Sequence, residues 1–146
     1  MCGQSTSRQA GELHKPSEGN VTKVEPPSAK SILAIAAHPD DIESWCAGTL
    51  AIAIDNGATV RLLLVTSGEH GSSDPAAVPA AVGARRETEA RAAADALGLT
   101  AVEFLRYGDG EVELTHALRR ELVEWIRRWQ PEVVFTHDPK TPGRAI

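Results

Sequence analysis

Four consecutive residues, His38-Pro39-Asp40-Asp41, follow directly on the apolar run SILAIAA. An imidazole and a carboxylate three positions apart, where a strand passes into a helix, can converge on one cation, and Pro39 fixes the turn between them. A helix start also favours ionised carboxylates, so Asp40 and Asp41 are expected to stay charged at neutral pH. An anionic pocket with one imidazole suits zinc, Zn2+. The same residues have a purely structural use. Asp40 with Glu43 three positions on has the form of a capping box, which satisfies the free N–H groups of a helix start. Both readings stand on these residues alone, and His38 is what tilts them toward a metal.

The elements that must position these groups are readable from the hydrophobic pattern. Residues 1–29 are rich in Gly, Ser, Pro, Glu and Lys with no apolar period, and are expected to form a disordered tail preceding a single domain over 30–146. From Ser31 the apolar run predicts a strand, followed by a helix from about Asp41 to Asn56 with Gly57 as its C-cap. The unit recurs. VRLLLVT (60–66) predicts a strand, a Gly/Ser/Pro loop leads to a helix from about Val82 to Leu97 stopped by Gly98, and AVEFLRY (101–107) predicts the third strand. A helix from about Thr115 to Trp129 and a strand EVVFTH (132–137) complete the series. Near-continuous apolar strands alternating with helices predict an α/β fold of Rossmann-like type, three layers deep around a mostly parallel sheet. In the last helix Leu118, Leu122, Trp125, Ile126 and Trp129 recur at helical spacing, which assigns the tryptophans to the core rather than to a sugar platform.

In open parallel sheets ligands bind beyond the carboxyl ends of the strands. Here those ends read His38-Pro39-Asp40-Asp41, Thr66-Ser67-Gly68-Glu69-His70, Tyr107-Gly108-Asp109-Gly110-Glu111 and Thr136-His137-Asp138-Pro139, whereas the opposite ends carry few such groups. The clustering predicts an active site at that edge. Composition narrows its partners. The 146 residues carry a net charge of −5 with no basic block, which argues against nucleic acid. No apolar stretch is long enough to span a bilayer, and two cysteines without a framework fit a reducing cytoplasm. No GxGxxG or GxxxxGK[ST] follows the first strand, which counts against a nucleotide-binding module.

The stretch AHPDDIESWCAGTLA resembles the signature of the LmbE-like, or PIG-L, family of zinc-dependent de-N-acetylases. The likeness continues through LLLVTSGEHGS, RRETEARAAADALGL, EFLRYGDGEV and PEVVFTHDP, and so covers roughly residues 31–139. It implies that His38 and Asp41 ligate zinc and that Asp40 is the general base in hydrolysis of an N-acetylglucosaminyl compound, releasing acetate and a free amino sugar. Arg86 and Asp109 match family positions that contact substrate. As plain residues they also read as part of a solvated helix face with i,i+4 charge pairs, and as a GDG turn. His70 lies in a Gly/Ser-rich loop of the kind that can form part of a lid.

The chain departs from the family at its second motif. The HPDH segment that supplies the third zinc ligand has no counterpart in THDPKTPGRAI, so the sequence reads as the N-terminal portion of the family fold with its C-terminal part missing. His137 is the candidate additional ligand. Two expectations follow: a deacetylase of this type, or a non-catalytic relative that keeps the fold and a weak metal site. The last strand, apolar and at a sheet edge, is a candidate surface for self-association.

Overall fold

The structure, a computed structural model, describes residues 28–140. The expected tail therefore falls outside the described residues, apart from its last two. Eight elements alternate as expected. They are β1 (Ser31–Ala36), α1 (Asp41–Trp45), α2 (Ala47–Asp55), β2 (Thr59–Thr66), α3 (Pro79–Leu97), β3 (Ala101–Tyr107), α4 (His116–Trp129) and β4 (Val133–Phe135). The four strands form one sheet in the order β3-β2-β1-β4, and every pairing is parallel.

The register divides the strand residues between two faces. Ile32, Ala34, Ala36, Val60, Leu62, Leu64 and Phe104 share one face and form the main core with Leu50 and Ala53 of α2 and Ala90 and Ala94 of α3. Leu33 and Leu63, fully buried, point the other way. On that side α4 is anchored by Arg61, whose guanidinium lies 5.9 Å from the Trp129 ring, and by Glu121, which accepts a 3.0 Å bond from the Tyr107 hydroxyl. Helices thus lie on both faces of a parallel sheet, the three-layer α/β arrangement.

Several boundaries differ from the sequence reading. The helix expected over 41–56 is two helices, because Cys46 adopts φ −142°, far from helical, and α2 then packs against β2 and α3. The capping box does not form: Asp40 makes no side-chain cap bond to α1. The helix expected from Val82 begins earlier, at Pro79, whose fixed φ suits the first turn. Its end is as read, with Gly98 in the left-handed region at φ 83°. In α4 Thr115 caps by accepting a 3.1 Å bond from the Leu118 amide. The core assignment of that helix is corrected. Only Leu118 is buried, Trp125 and Trp129 are half-buried, and Ile126 and Val123 are exposed. Among the described residues a single helix covers this face, and the tryptophans pack on each other with ring centroids 4.6 Å apart, flanked by Arg61 and Arg128. β4 is shorter than EVVFTH, three residues in place of six.

Candidate active site

The strand order places a reversal between β1 and β4. The chain proceeds outward from β1 through β2 to β3 and then returns to the far side of β1. Such a switch point opens a crevice between the carboxyl ends of the two diverging strands. His38 and Asp41 follow β1, and His137 follows β4.

Asp41 is the hub. Its Oδ2 accepts the backbone N–H of Ala37 at 3.0 Å and of His38 at 2.9 Å, so the carboxylate closes the β1–α1 turn on itself. The same oxygen lies 3.1 Å from His137 Nε2 and 3.7 Å from His38 Nδ1. These backbone donors fix the carboxylate in the turn, and α1 has only five residues. His38 is oriented from the other side. Its Nε2 lies 2.9 Å from Asp109 Oδ1, and in the tautomer that donates there Nδ1 turns its lone pair toward Asp41.

Asp109 is itself immobilised. It is buried, its Oδ2 accepts the His70 amide at 3.1 Å, its carbonyl oxygen lies 2.9 Å from His70 Nδ1, and its amide donates to Glu69 Oε1 at 2.9 Å. The loops after β2 and β3 are thereby tied into one piece behind His38. His70 belongs to this tie.

Arg86 is not on a solvated helix face. Its side chain is 15% exposed, against 67% for neighbouring Arg85, which makes the expected i,i+4 pair with Glu89 at 3.6 Å. Arg86 Nη2 lies 2.8 Å from Asp40 Oδ1, and Nη1 donates to the Gly68 carbonyl at 3.1 Å. A cleft of about 250 Å³ opens beside this pair, bordered by Asp40, Glu43, Arg86 and Glu89. Burial, reinforced by the charges of Asp40 and Asp41, holds the Glu43 carboxyl above its ordinary pKa, although its hydrogen bond to backbone opposes this.

Sequence reasoning missed two supports. Thr66 is fully buried, and its hydroxyl donates to the Ala37 carbonyl at 2.9 Å while accepting the Gly68 amide at 3.1 Å, which binds the carboxyl ends of β1 and β2. Glu87 accepts Ser67 Oγ at 2.7 Å and a two-pronged contact from Arg106 at 2.8 Å on each oxygen. The only sequence signal for Glu87 was its place beside Arg86, and Arg106 had none.

A parallel α/β sheet that gathers histidines and carboxylates at its switch point defines the class: an α/β protein with an acid-rich, imidazole-bearing site at its strand ends. Residues 33–145 match the family described as PIG-L, GlcNAc-PI de-N-acetylase, and the chain belongs to that family. It is 34% identical over 113 residues to diacetylchitobiose deacetylase of Thermococcus kodakarensis, covering 77% of this chain and 42% of that one. It is 32% identical over 118 residues to 4-oxalmesaconate hydratase of Pseudomonas putida, covering 77% and 45%. Its fold matches that of N,N'-diacetylchitobiose deacetylase from Pyrococcus horikoshii complexed with the inhibitor MPG, with a TM-score of 0.77 and 32% identity over 80% of this chain and 44% of that one. The chain spans less than half the length of each of these relatives.

Proposed function

We propose that this chain carries the metal-binding and proton-transfer half of a zinc-dependent amide hydrolase that removes the N-acetyl group from an N-acetylglucosaminyl compound. The observation that carries the reading is the pair formed by His38 Nδ1 and Asp41 Oδ2. They stand 3.7 Å apart while the far nitrogen of the ring is committed to Asp109. In the tautomer that donates to Asp109, an imidazole lone pair and a carboxylate oxygen face each other as a donor set suited to a cation, and N and O donors suit zinc. Among the described residues no group of three or more His, Cys, Asp or Glu has the geometry to hold a metal ion, so the pair by itself is an open set. His137, whose Nε2 is spent on a 3.1 Å contact with Asp41 Oδ2, is the candidate that would have to turn to add a third donor.

Bound zinc would polarise the amide carbonyl and lower the pKa of water toward neutrality. Asp40 projects from the same turn with a side chain 71% exposed. We assign it the proton: it takes one from the attacking water and delivers it to the departing amine. Atoms balance as amide plus water gives acetate and free amine. Asp109 and Arg86 both spend polar atoms on protein partners, so any contact they make with sugar hydroxyls is additional to holding His38 and Asp40. The substrate is a small N-acetylated amino sugar, and no nucleic acid or membrane takes part. Among the described residues no helix is long and apolar enough to cross a membrane. The free thiol of Cys46 supports a reducing, cytoplasmic setting.

The test is zinc titration beside acetate release from N-acetylglucosaminyl substrates. His38→Ala and Asp41→Ala should each lose metal. Asp40→Asn should keep metal and lose roughly 10²- to 10⁴-fold in turnover, the range of positioned proton transfer. Equal metal loss in all three would refute the assignment. A second reading, a relative that retains the fold with a weak metal site, is favoured by the open donor set. Weak binding and no acetate release by the wild-type chain would select it.

A further inference from the structure

We propose that Arg86 is the positioning residue for Asp40, seated in a glycine cradle that exists to hold its guanidinium; this rests on the reading of Asp40 as the proton carrier. Asp40 lacks the cap bond that would fix its carboxylate against α1, and the contact that replaces it is Arg86 Nη2 at 2.8 Å from Oδ1. A carboxylate otherwise exposed is thus held at one oxygen, leaving Oδ2 to face substrate. The guanidinium in turn cannot wander. Nη1 donates to the Gly68 carbonyl, which also accepts the Gly71 amide at 3.0 Å, so the loop after β2 folds around the charged group. Gly68 has φ 63°, and a Cβ added there would stand 2.8 Å from Nη1. Gly71 carries no left-handed backbone, so its own geometry would accept alanine; a Cβ there would overlap Arg86 Nη1. What Gly71 makes room for is the arginine.

The cradle supplies a test that a substrate contact would fail. In the zinc-loaded full chain, Arg86→Met should lower kcat roughly 10- to 100-fold with KM changed by less than about twofold, since misplacing a reacting group by about 1 Å can cost on the order of 10²-fold. Gly71→Ala, which keeps the arginine but evicts it, should lower kcat in the same way. The double variant should be no worse than Arg86→Met alone. A rise in KM at unchanged kcat, or additive losses in the double variant, would overturn the proposal. A second readout needs no turnover. In 15N spectra the Arg86 Nη protons should exchange with water more slowly than those of Arg85, and Asp40→Ala should speed exchange at Nη2 while sparing Nη1. Fast exchange in the wild type, or no response to Asp40→Ala, also overturns it. Slow, Asp40-dependent exchange in a chain that releases no acetate would support the seat and count against the deacetylase reading alone.

Discussion

His38 is held by a residue 71 positions away, and that distance determines what could be read in advance. The imidazole and Asp41 lie in one local turn, so spacing alone brought them together, and the structure puts His38 Nδ1 3.7 Å from Asp41 Oδ2. Asp109 was legible as a polar residue at a strand end. Its use was not, because only the pairing of β2 with β3 and the folding back of both loops carry it to His38 Nε2. The capping box failed for a related reason. Arg86, 46 positions beyond Asp40, supplies a charged donor that competes with the free amides of a short helix. If Asp109 orients His38, then Asp109→Asn, which keeps shape but surrenders charge and can present an amide to the ring nitrogen, should weaken zinc binding by roughly 10- to 100-fold, the usual cost of losing an outer partner of a metal-bound histidine. Isothermal titration of zinc into the variant checks this. Affinity equal to wild type would show that Asp109 serves the loops alone.

At the scale of elements, the end of the β2–β3 ladder is where regularity gives way. The register shifts between Leu64 and Thr66, and Arg106 sits in the left-handed region at φ 58°, a conformation costly for a non-glycine residue. The kink aims the Arg106 side chain at Glu87 on α3, and Glu87 also takes the Ser67 hydroxyl. One carboxylate therefore joins α3 to the ends of β2 and β3, the strands whose loops carry Arg86's cradle and Asp109. No pattern of period two or 3.6 encodes such a joint. Burial pushes the Glu87 carboxyl up, but the hydrogen bonds from Arg106 and Ser67 and the charges of Arg106 and Arg91 outweigh it and hold the pKa below its ordinary value. The sign follows. A carboxyl whose folded pKa is depressed contributes stability that is fully present above its unfolded pKa, about 4.3, and is lost as pH falls through the lower folded value. Glu87→Gln should therefore lower Tm near pH 7 and close the gap to wild type as the solution is acidified below about pH 4. A gap independent of pH would mean that shape, and not charge, makes the joint.

For the whole molecule, the strand order that builds the site also leaves β4 at an edge. The apolar runs announced four parallel strands with helices between them, and that much was legible because the strands are near-continuous apolar runs, broken only by Arg61 in β2 and by Glu103 and Arg106 in β3. What they could not announce is the uneven cover of the two faces, since α4 has the helical period of a core helix yet, among the described residues, shields its face alone and leaves Val123 and Ile126 exposed. β4 pairs with β1 over only three residues, and its central Val134, opposite Leu33, is 40% exposed. Beyond it the described residues place no further strand to pair with the outer edge of this apolar, β-branched segment. Such an edge is a template for another strand. The chain should accordingly associate with itself as concentration rises, which sedimentation velocity across a hundredfold concentration range would register. Val134→Lys tests the cause. The lysine would disfavour stacking of edge on edge by charge while its aliphatic stem still covers Leu33, so association should fall and the melting temperature should hardly move. A chain that stays monomeric at every concentration, or a Val134→Lys variant that associates as strongly as wild type, would remove the edge from the account.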